Sequence, residues 1–308
     1  MSSPRSLLGW LFGLLATCIW GTFYPVSRLL AGPGGDAVDP LSYSLLRFLL
    51  ATLALSPILL KRETRVLAKK MLRSDFREMA LLAFIGILGE GLLVFWSTKY
   101  TTAARSSLMA NTSPATTLIL AWLLGRDILT GRKLAGILLG LAGMVFFFLA
   151  EGQDRFLGAN ASLWIGDLLA FSSGCCWATF TVLGDRFSEK YGGVLSSLMF
   201  FATATVLMLP ITLALNGGRI QWQITPEYFL NALYLGAVGG GIAIACWYAA
   251  LQRVSPGRLG SLGYLSASIA IVSSLLLTGE KLNWLFLTAL VCVMSGMALM
   301  AHKAKSEK

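Results

Sequence analysis

Apolar residues run in this chain in unbroken blocks of roughly twenty, the length an α-helix needs to cross a hydrocarbon core about 30 Å thick. Ten such blocks stand out, at about 7–28, 41–60, 78–98, 106–124, 132–150, 163–184, 193–215, 228–251, 259–278 and 283–301. Inside a bilayer every backbone N–H and C=O must find its partner within the protein, so blocks of this kind fold as helices. They use most of the 308 residues and leave no room for a separate soluble domain. Only 13% of residues are charged, against about 25% in soluble domains. The expectation is an all-α polytopic membrane protein with ten transmembrane helices. The first block follows Arg5 as a signal peptide would. It is too long for one, holds Trp20, Tyr24 and Pro25, and lacks a small-residue cleavage site, so it reads as a true span.

The net charge of +10 would suggest nucleic acid in a soluble protein. Here the bases are sorted by loop. Lys61, Arg62, Arg65, Lys69, Lys70, Arg73 and Arg77 crowd one connection, and Arg126, Arg132, Lys133, Arg186, Lys190, Arg253, Arg258, Lys303, Lys305 and Lys308 occupy later ones on the same side. The intervening loops carry Asp36, Asp39, Glu151, Asp154 and Glu227. This positive-inside pattern places both termini and the 61–77 loop in the cytoplasm, and adds an attraction to anionic membrane lipid. No nucleic-acid partner is expected. Cys18, Cys175, Cys176, Cys246 and Cys292 all fall inside spans without ligand spacing, and His302 is the lone histidine. Neither a disulfide framework nor a metal site is expected, and no cofactor.

Sliding the chain on itself by 153 residues brings Gly86 onto Gly239, Arg105 onto Arg258, Ser113 onto Ser266, Asp127 onto Glu280, Gly143 onto Gly296 and Pro57 onto Pro210. In the first span of each half the offset is 157, with Trp20, Thr22 and Phe23 over Trp177, Thr179 and Phe180. Each half, 1–150 and 151–308, holds five spans. An odd number forces the second copy to enter from the opposite side. Two inverted five-helix repeats are therefore expected, the usual framework for alternating access around a mid-membrane site.

Trp20-Gly21 with Arg28, Pro40 with Arg47, the run Ala104 to Pro114 leading to Asp127, and Arg253-Val-Ser-Pro-Gly-Arg-Leu-Gly continuing through Tyr264-Leu265 to Gly279-Glu280-Lys281-Leu282 resemble the EamA family of the drug/metabolite transporter superfamily. The resemblance covers nearly the whole chain. It implies a ten-helix carrier that exports or exchanges small metabolites across the bacterial inner membrane, and it leaves the substrate open. Departures from the family pattern are Ala267, where the family has proline, and Asp127, where glutamate is commoner. Glu90 has no place in that pattern, and its counterpart in the second half is Ala243.

An ionisable group at membrane depth is costly and faces a protein-lined path by default. Glu90 lies eight residues before Thr98, about 12 Å below the outer boundary, and Arg47 about 9 Å below it at 1.5 Å per residue. At these depths the two could meet. The pair serves either as a structural ion pair or as a site where substrate competes, Arg47 taking a carboxylate and Glu90 an ammonium or a proton. Trp20 and Tyr24, Trp177 and Thr181, Trp247, Asn111 and Tyr264 fall on the faces that would wall a cavity. Pro25 and Pro114 are candidate hinges, Pro114 because it removes the hydrogen bond that the Ala110 carbonyl would accept. Trp10, Trp164, Trp222 and Trp284 fit interfacial belts. Asp167, early in the sixth span, is a candidate second functional acid, though its shallow depth favours a snorkelling, structural role.

There is no Walker sequence, and no nucleophile–base set to support an intramembrane lipid-modifying enzyme. A membrane scaffold does not explain Glu90. The reading is a secondary transporter of small amphipathic metabolites such as amino acids, with organic-cation efflux as the alternative. The partners are a small-molecule substrate, membrane lipid and a proton as candidate coupling ion. Monomer and homodimer are both open.

Overall fold

The computed structural model describes residues 4–22, 26, 38–100, 109–110, 112–151, 161–223, 225–263, 265–266, 268–269 and 284–301. Among these every regular element is helical. In chain order they are α1 Pro4–Gly21, α2 Pro40–Leu55 with a 3₁₀ turn Ser56–Leu60, α3 Arg62–Ser74, α4 Phe76–Ala83, α5 Glu90–Tyr100, α6 Ser113–Leu123 and α7 Gly131–Glu151. There follow α8 Ala161–Tyr191, α9 Gly193–Leu215, α10 Pro226–Leu233, α11 Ala243–Leu251, α12 Pro256–Gly260 and α13 Trp284–Ala301. Among the described residues, Pro40–Leu60, Trp164–Tyr191, Gly193–Leu215 and Pro226–Leu251 are each long and apolar enough to cross a membrane.

Local chemistry sets the ends of these helices. Asp39 caps α2 by accepting the Ser42 N–H at 2.8 Å, and Pro40 occupies the first turn, where no N–H is needed. Thr225 and Pro226 repeat the device at α10. Gly192, at φ +86°, makes the sharp turn between α8 and α9 that a side chain would resist.

Three features depart from the sequence expectation. The basic stretch expected as a loop contains a helix, α3. The sixth span does not stop near 184 but runs to Tyr191, carrying Arg186 and Lys190 on its last turns. The third and eighth spans are not regular. A π-helical segment, Phe84–Gly89, joins α4 to α5, and another, Tyr234–Ile242, joins α10 to α11. The 153-residue offset carries the first segment onto 237–242, inside the second. The apolar pattern that identifies a span does not report a change of helical pitch within it.

The chain divides into two compact units, Met1–Leu88 with Leu183–Arg253, and Gly89–Val182 with Val254–Lys308. Each unit takes elements from both sequence halves.

In the first unit α2 packs on α9, and these helices begin 153 residues apart. Phe48 and Phe201 meet with ring centroids 6.0 Å apart, and the hydroxyls of Thr52 and Thr205 lie 3.3 Å apart. Both are pairs of equivalent residues. The segment Tyr234–Ile242 lies along α2, where a Cβ on Gly236 would fall 2.6 Å from the Arg47 carbonyl oxygen. Around Tyr248 the core is tight. Phe200 stacks on it at 5.7 Å, Ser188 donates to its carbonyl at 2.7 Å, and Gly184 leaves no room for a Cβ beside its hydroxyl.

In the second unit the central contact is α7 against α13, helices that carry the counterpart glycines Gly143 and Gly296. Small residues bring the backbones together. A Cβ on Gly136 would sit 2.7 Å from the Gly296 carbonyl, and one on Gly143 would sit 2.8 Å from that of Ala289. The two helices run antiparallel, since later residues of α7 meet earlier residues of α13. Gly143 and Gly296 are counterparts, as are Gly136 and Ala289, so this contact occurs together with its mirror image.

Candidate functional site

In the first unit, Trp20 near the end of α1 donates its indole N–H to the Gly239 carbonyl at 3.0 Å, and its ring meets that of Trp247 at 5.2 Å. Gly239 lies within a π-helical segment, where the shifted backbone ladder opens carbonyls to donors from other helices. Thr22 and Tyr234 share a hydroxyl–hydroxyl hydrogen bond of 2.6 Å. Two of the sequence-derived wall residues, Trp20 and Trp247, are thus brought together. Trp247 is 2% exposed.

Arg47, on α2, is partly buried, with its Nε inside the protein. One turn before it, Tyr43 donates to Asn231 Oδ1 at 2.5 Å, and Asn231 Nδ2 donates to the Val26 carbonyl at 2.6 Å. Tyr228 meets the Tyr43 ring edge-on at 5.3 Å. At the same end of α2, Asp39 accepts Asn216 Nδ2 at 2.5 Å, and Trp222 donates to the Ser42 carbonyl at 2.9 Å. Tyr43, Asn231 and Tyr234 were missed by the sequence reading. The signal available was the spacing of Tyr43 to Arg47 and of Asn231 to Tyr234, one helical turn each, in otherwise apolar stretches.

In the second unit, Glu90 is the first residue of α5, directly after the π-helical segment, and is partly buried. On α8, Cys176 is partly buried. On the same helix Trp177 packs against Phe180 at 5.8 Å, and Thr181 is wholly buried with no hydrogen-bond partner for its hydroxyl among the described residues. Asp167, on α8, is only 4% exposed, so it does not snorkel as its position near the start of the span suggested. Pro114 stands in the first turn of α6, where its missing N–H costs nothing, and the Ala110 carbonyl is covered by Gly174 of α8. Tyr24, Pro25, Asn111 and Tyr264 lie outside the described residues. Arg47 belongs to the first unit and Glu90 to the second, so their pairing is a proposal and not a contact within either unit.

The second unit also holds a buried ion pair. Lys133 Nζ donates to Asp127 Oδ1 at 2.5 Å and to the Ile128 carbonyl at 3.1 Å, with the two side chains 1% and 2% exposed. Ser255 Oγ donates to Asp127 Oδ2 at 3.2 Å, and the Gly257 backbone packs directly against that oxygen. In the first unit, Asp75 accepts from Lys190 at 2.6 Å and from Tyr191 at 2.5 Å. The Lys190 hydrogen bond, then that of Tyr191, holds the Asp75 carboxyl below its usual range. Among the described residues no group of three His, Cys, Asp or Glu side chains could hold a metal ion, and the five cysteines are free thiols.

Long apolar helices, buried charges and tryptophans facing each other across helices define a multi-pass membrane protein with polar groups held inside its units. Residues 7–149 and 164–301 each match the profile of the EamA-like transporter family, and the chain belongs to that family. It is 28% identical to an uncharacterized transporter of Archaeoglobus fulgidus over 88% of this chain and 90% of that one. It is 29% identical to the uncharacterized inner membrane transporter YedA of Escherichia coli K12 over 92% and 88%. A solved crystal structure superposes with a TM-score of 0.78 at 21% identity, covering 97% of this chain and 96% of that one, which establishes the fold. The protein is a membrane transporter, and its relatives are transporters, not enzymes.

Proposed function

We propose that the protein is a secondary transporter that exports or exchanges small amphipathic metabolites, amino acids among them, across the inner membrane by alternating access. Two halves of five spans each, 1–150 and 151–308, are inserted in opposite senses, with both termini in the cytoplasm. The observation that carries this reading is the pairing of equivalent helices. α2 meets α9 through the counterpart pairs Phe48/Phe201 and Thr52/Thr205, and α7 meets α13 antiparallel through contacts that occur with their mirror image. A two-fold axis in the membrane plane produces contacts of this kind, and such repeats are the framework of alternating access.

Arg47 receives the substrate carboxylate, and Glu90 receives an ammonium or a proton. Trp20, Tyr24, Trp177, Thr181, Trp247, Asn111 and Tyr264 line the path, and Pro25 and Pro114 mark where it bends. A second reading, organic-cation efflux, is favoured by the Trp20–Trp247 pair, whose ring faces attract cations.

Counterflow in proteoliposomes tests the proposal. Saturable uptake of a labelled amino acid, accelerated by the same compound on the other side, is the expected result. Acceleration by quaternary amines alone selects the second reading, and uptake that neither saturates nor responds to the opposite side sinks both. Arg47→Ala should impair carboxylate-bearing substrates more than cationic ones. Equal losses would assign Arg47 to structure alone.

A further inference from the structure

The basic stretch after the second span is a folded surface. Helix α3 follows directly on the span Pro40–Leu60 and is followed by α4, which enters the third span, so it lies at the membrane–water boundary. One side is fixed to the first unit, with Thr64, Ala68 and Met71 buried. At 100° per residue these three form a narrow strip. The opposite side presents Arg62, Arg65, Lys69, Lys70 and Arg73, all exposed, against the single acid Glu63. Apolar side chains stand among and beside these cations: Val66 is 60% exposed, Leu72 46% and Leu67 36%. Leu60 just before the helix and Phe76 just after it are 82% and 50% exposed. The C-terminal end of the helix is pinned. Asp75 caps it through its N–H to the Met71 carbonyl at 2.9 Å, and the Asp75 carboxylate is held by Lys190 and Tyr191 of α8.

A solvated loop needs neither a fixed helix nor exposed leucine, valine and phenylalanine between its bases. Water is a poor partner for that mixture, whereas a lipid headgroup layer satisfies both parts at once. Phosphates pair with the cations, and the upper acyl region takes the apolar side chains. The positive charge also excludes a zwitterionic or cationic surface as the preferred partner. We infer that the exposed face of α3 is a binding surface for anionic phospholipid headgroups. Because Asp75 ties this helix to the end of α8, lipid bound there bears on a membrane-crossing helix as well.

The inference does not depend on the substrate, and its test needs none. Purified full-length protein is equilibrated in mixed micelles holding equal phosphatidylglycerol and phosphatidylcholine, and the lipids retained are counted by native mass spectrometry. The wild type should retain phosphatidylglycerol in clear excess. The variant Arg65→Gln/Lys69→Gln/Lys70→Gln/Arg73→Gln should lose that excess by about tenfold or more, since each base near an anionic surface adds to the attraction. Glu63→Lys, which adds charge without touching the buried strip, should increase the excess, and 0.5 M salt should reduce it in the wild type. Inorganic phosphate at millimolar concentration should leave it unchanged, because free anions lack the acyl contact. Equal retention of the two lipids by the wild type, or an excess unmoved by both variants, overturns the inference. Displacement by inorganic phosphate also overturns it, since that would make the face a simple anion site.

Discussion

Lys133 shows how far a charge can be from the role that its position in the sequence suggests. Counted with Arg126 and Arg132 it looks like a loop base that reports orientation, yet it is 1% exposed and bound to Asp127. Nothing in a run of apolar residues says which flanking charge will be drawn inside; the partner Asp127 was visible in the internal repeat and the family pattern, but not as the partner of Lys133. Breaking such a pair leaves one charge buried alone, at a cost of about 3–5 kcal/mol. Asp127→Ala should therefore lower thermal stability in detergent sharply. Lys133→Met added to Asp127→Leu should recover much of the loss, because an apolar pair carries no stranded charge. A second residue-scale expectation concerns Asp75. Its folded-state pKa is lowered, so the stability it contributes is present above its unfolded value of about 3.9 and disappears as pH falls through the lower folded one. Melting curves between pH 7 and pH 3 should show a shallower acid decline in Asp75→Asn than in the wild type. Glu90→Gln, by contrast, should leave melting nearly unchanged and reduce transport; wild-type rates across pH would remove Glu90 from the mechanism.

Among the elements, the helices whose ends carry chemical signals matched the sequence best. α9 occupies Gly193–Leu215 as expected. Two things were not legible. The first is the pair of π-helical segments, because a locally wider turn costs no change in hydropathy. The second is the helix inside the basic connection, where attention to charge hid the apolar positions Val66, Leu67 and Leu72. The glycines of α7 are packing residues: Gly136 and Gly143 both face α13. Gly143→Leu places carbon atoms where the Ala289 carbonyl and Val293 already stand. A loss of about 1–3 kcal/mol is expected from such overpacking, read as a fall in melting temperature. The same substitution at Gly131, which has nothing within 4 Å of a would-be Cβ, should cost far less.

For the molecule as a whole, the helical class and multi-pass character followed from block length alone, and family membership from motifs spread over both halves. How the spans group into compact units did not follow. Each unit draws on both halves, since helices find partners by surface complementarity and not by sequence proximity. This grouping makes a prediction. Thr52→Cys/Thr205→Cys should form a disulfide under mild oxidation, because the native hydroxyls lie 3.3 Å apart. If α2 and α9 travel together as one body during transport, the cross-linked protein keeps its activity. Loss of transport that returns on reduction would mean that the two helices slide past each other in every cycle.

The contacts Phe48/Phe201 and Thr52/Thr205 join positions that correspond to each other in the duplicated chain. In the arrangement proposed above, they are the contacts that a lone half would make with a second molecule of itself lying upside down beside it. Fusing the two removes the need to find that neighbour, and it frees each copy to diverge. Glu90, whose counterpart in the second half is Ala243, is what such freedom leaves behind: a machine assembled from twins, one of which has acquired a charge of its own.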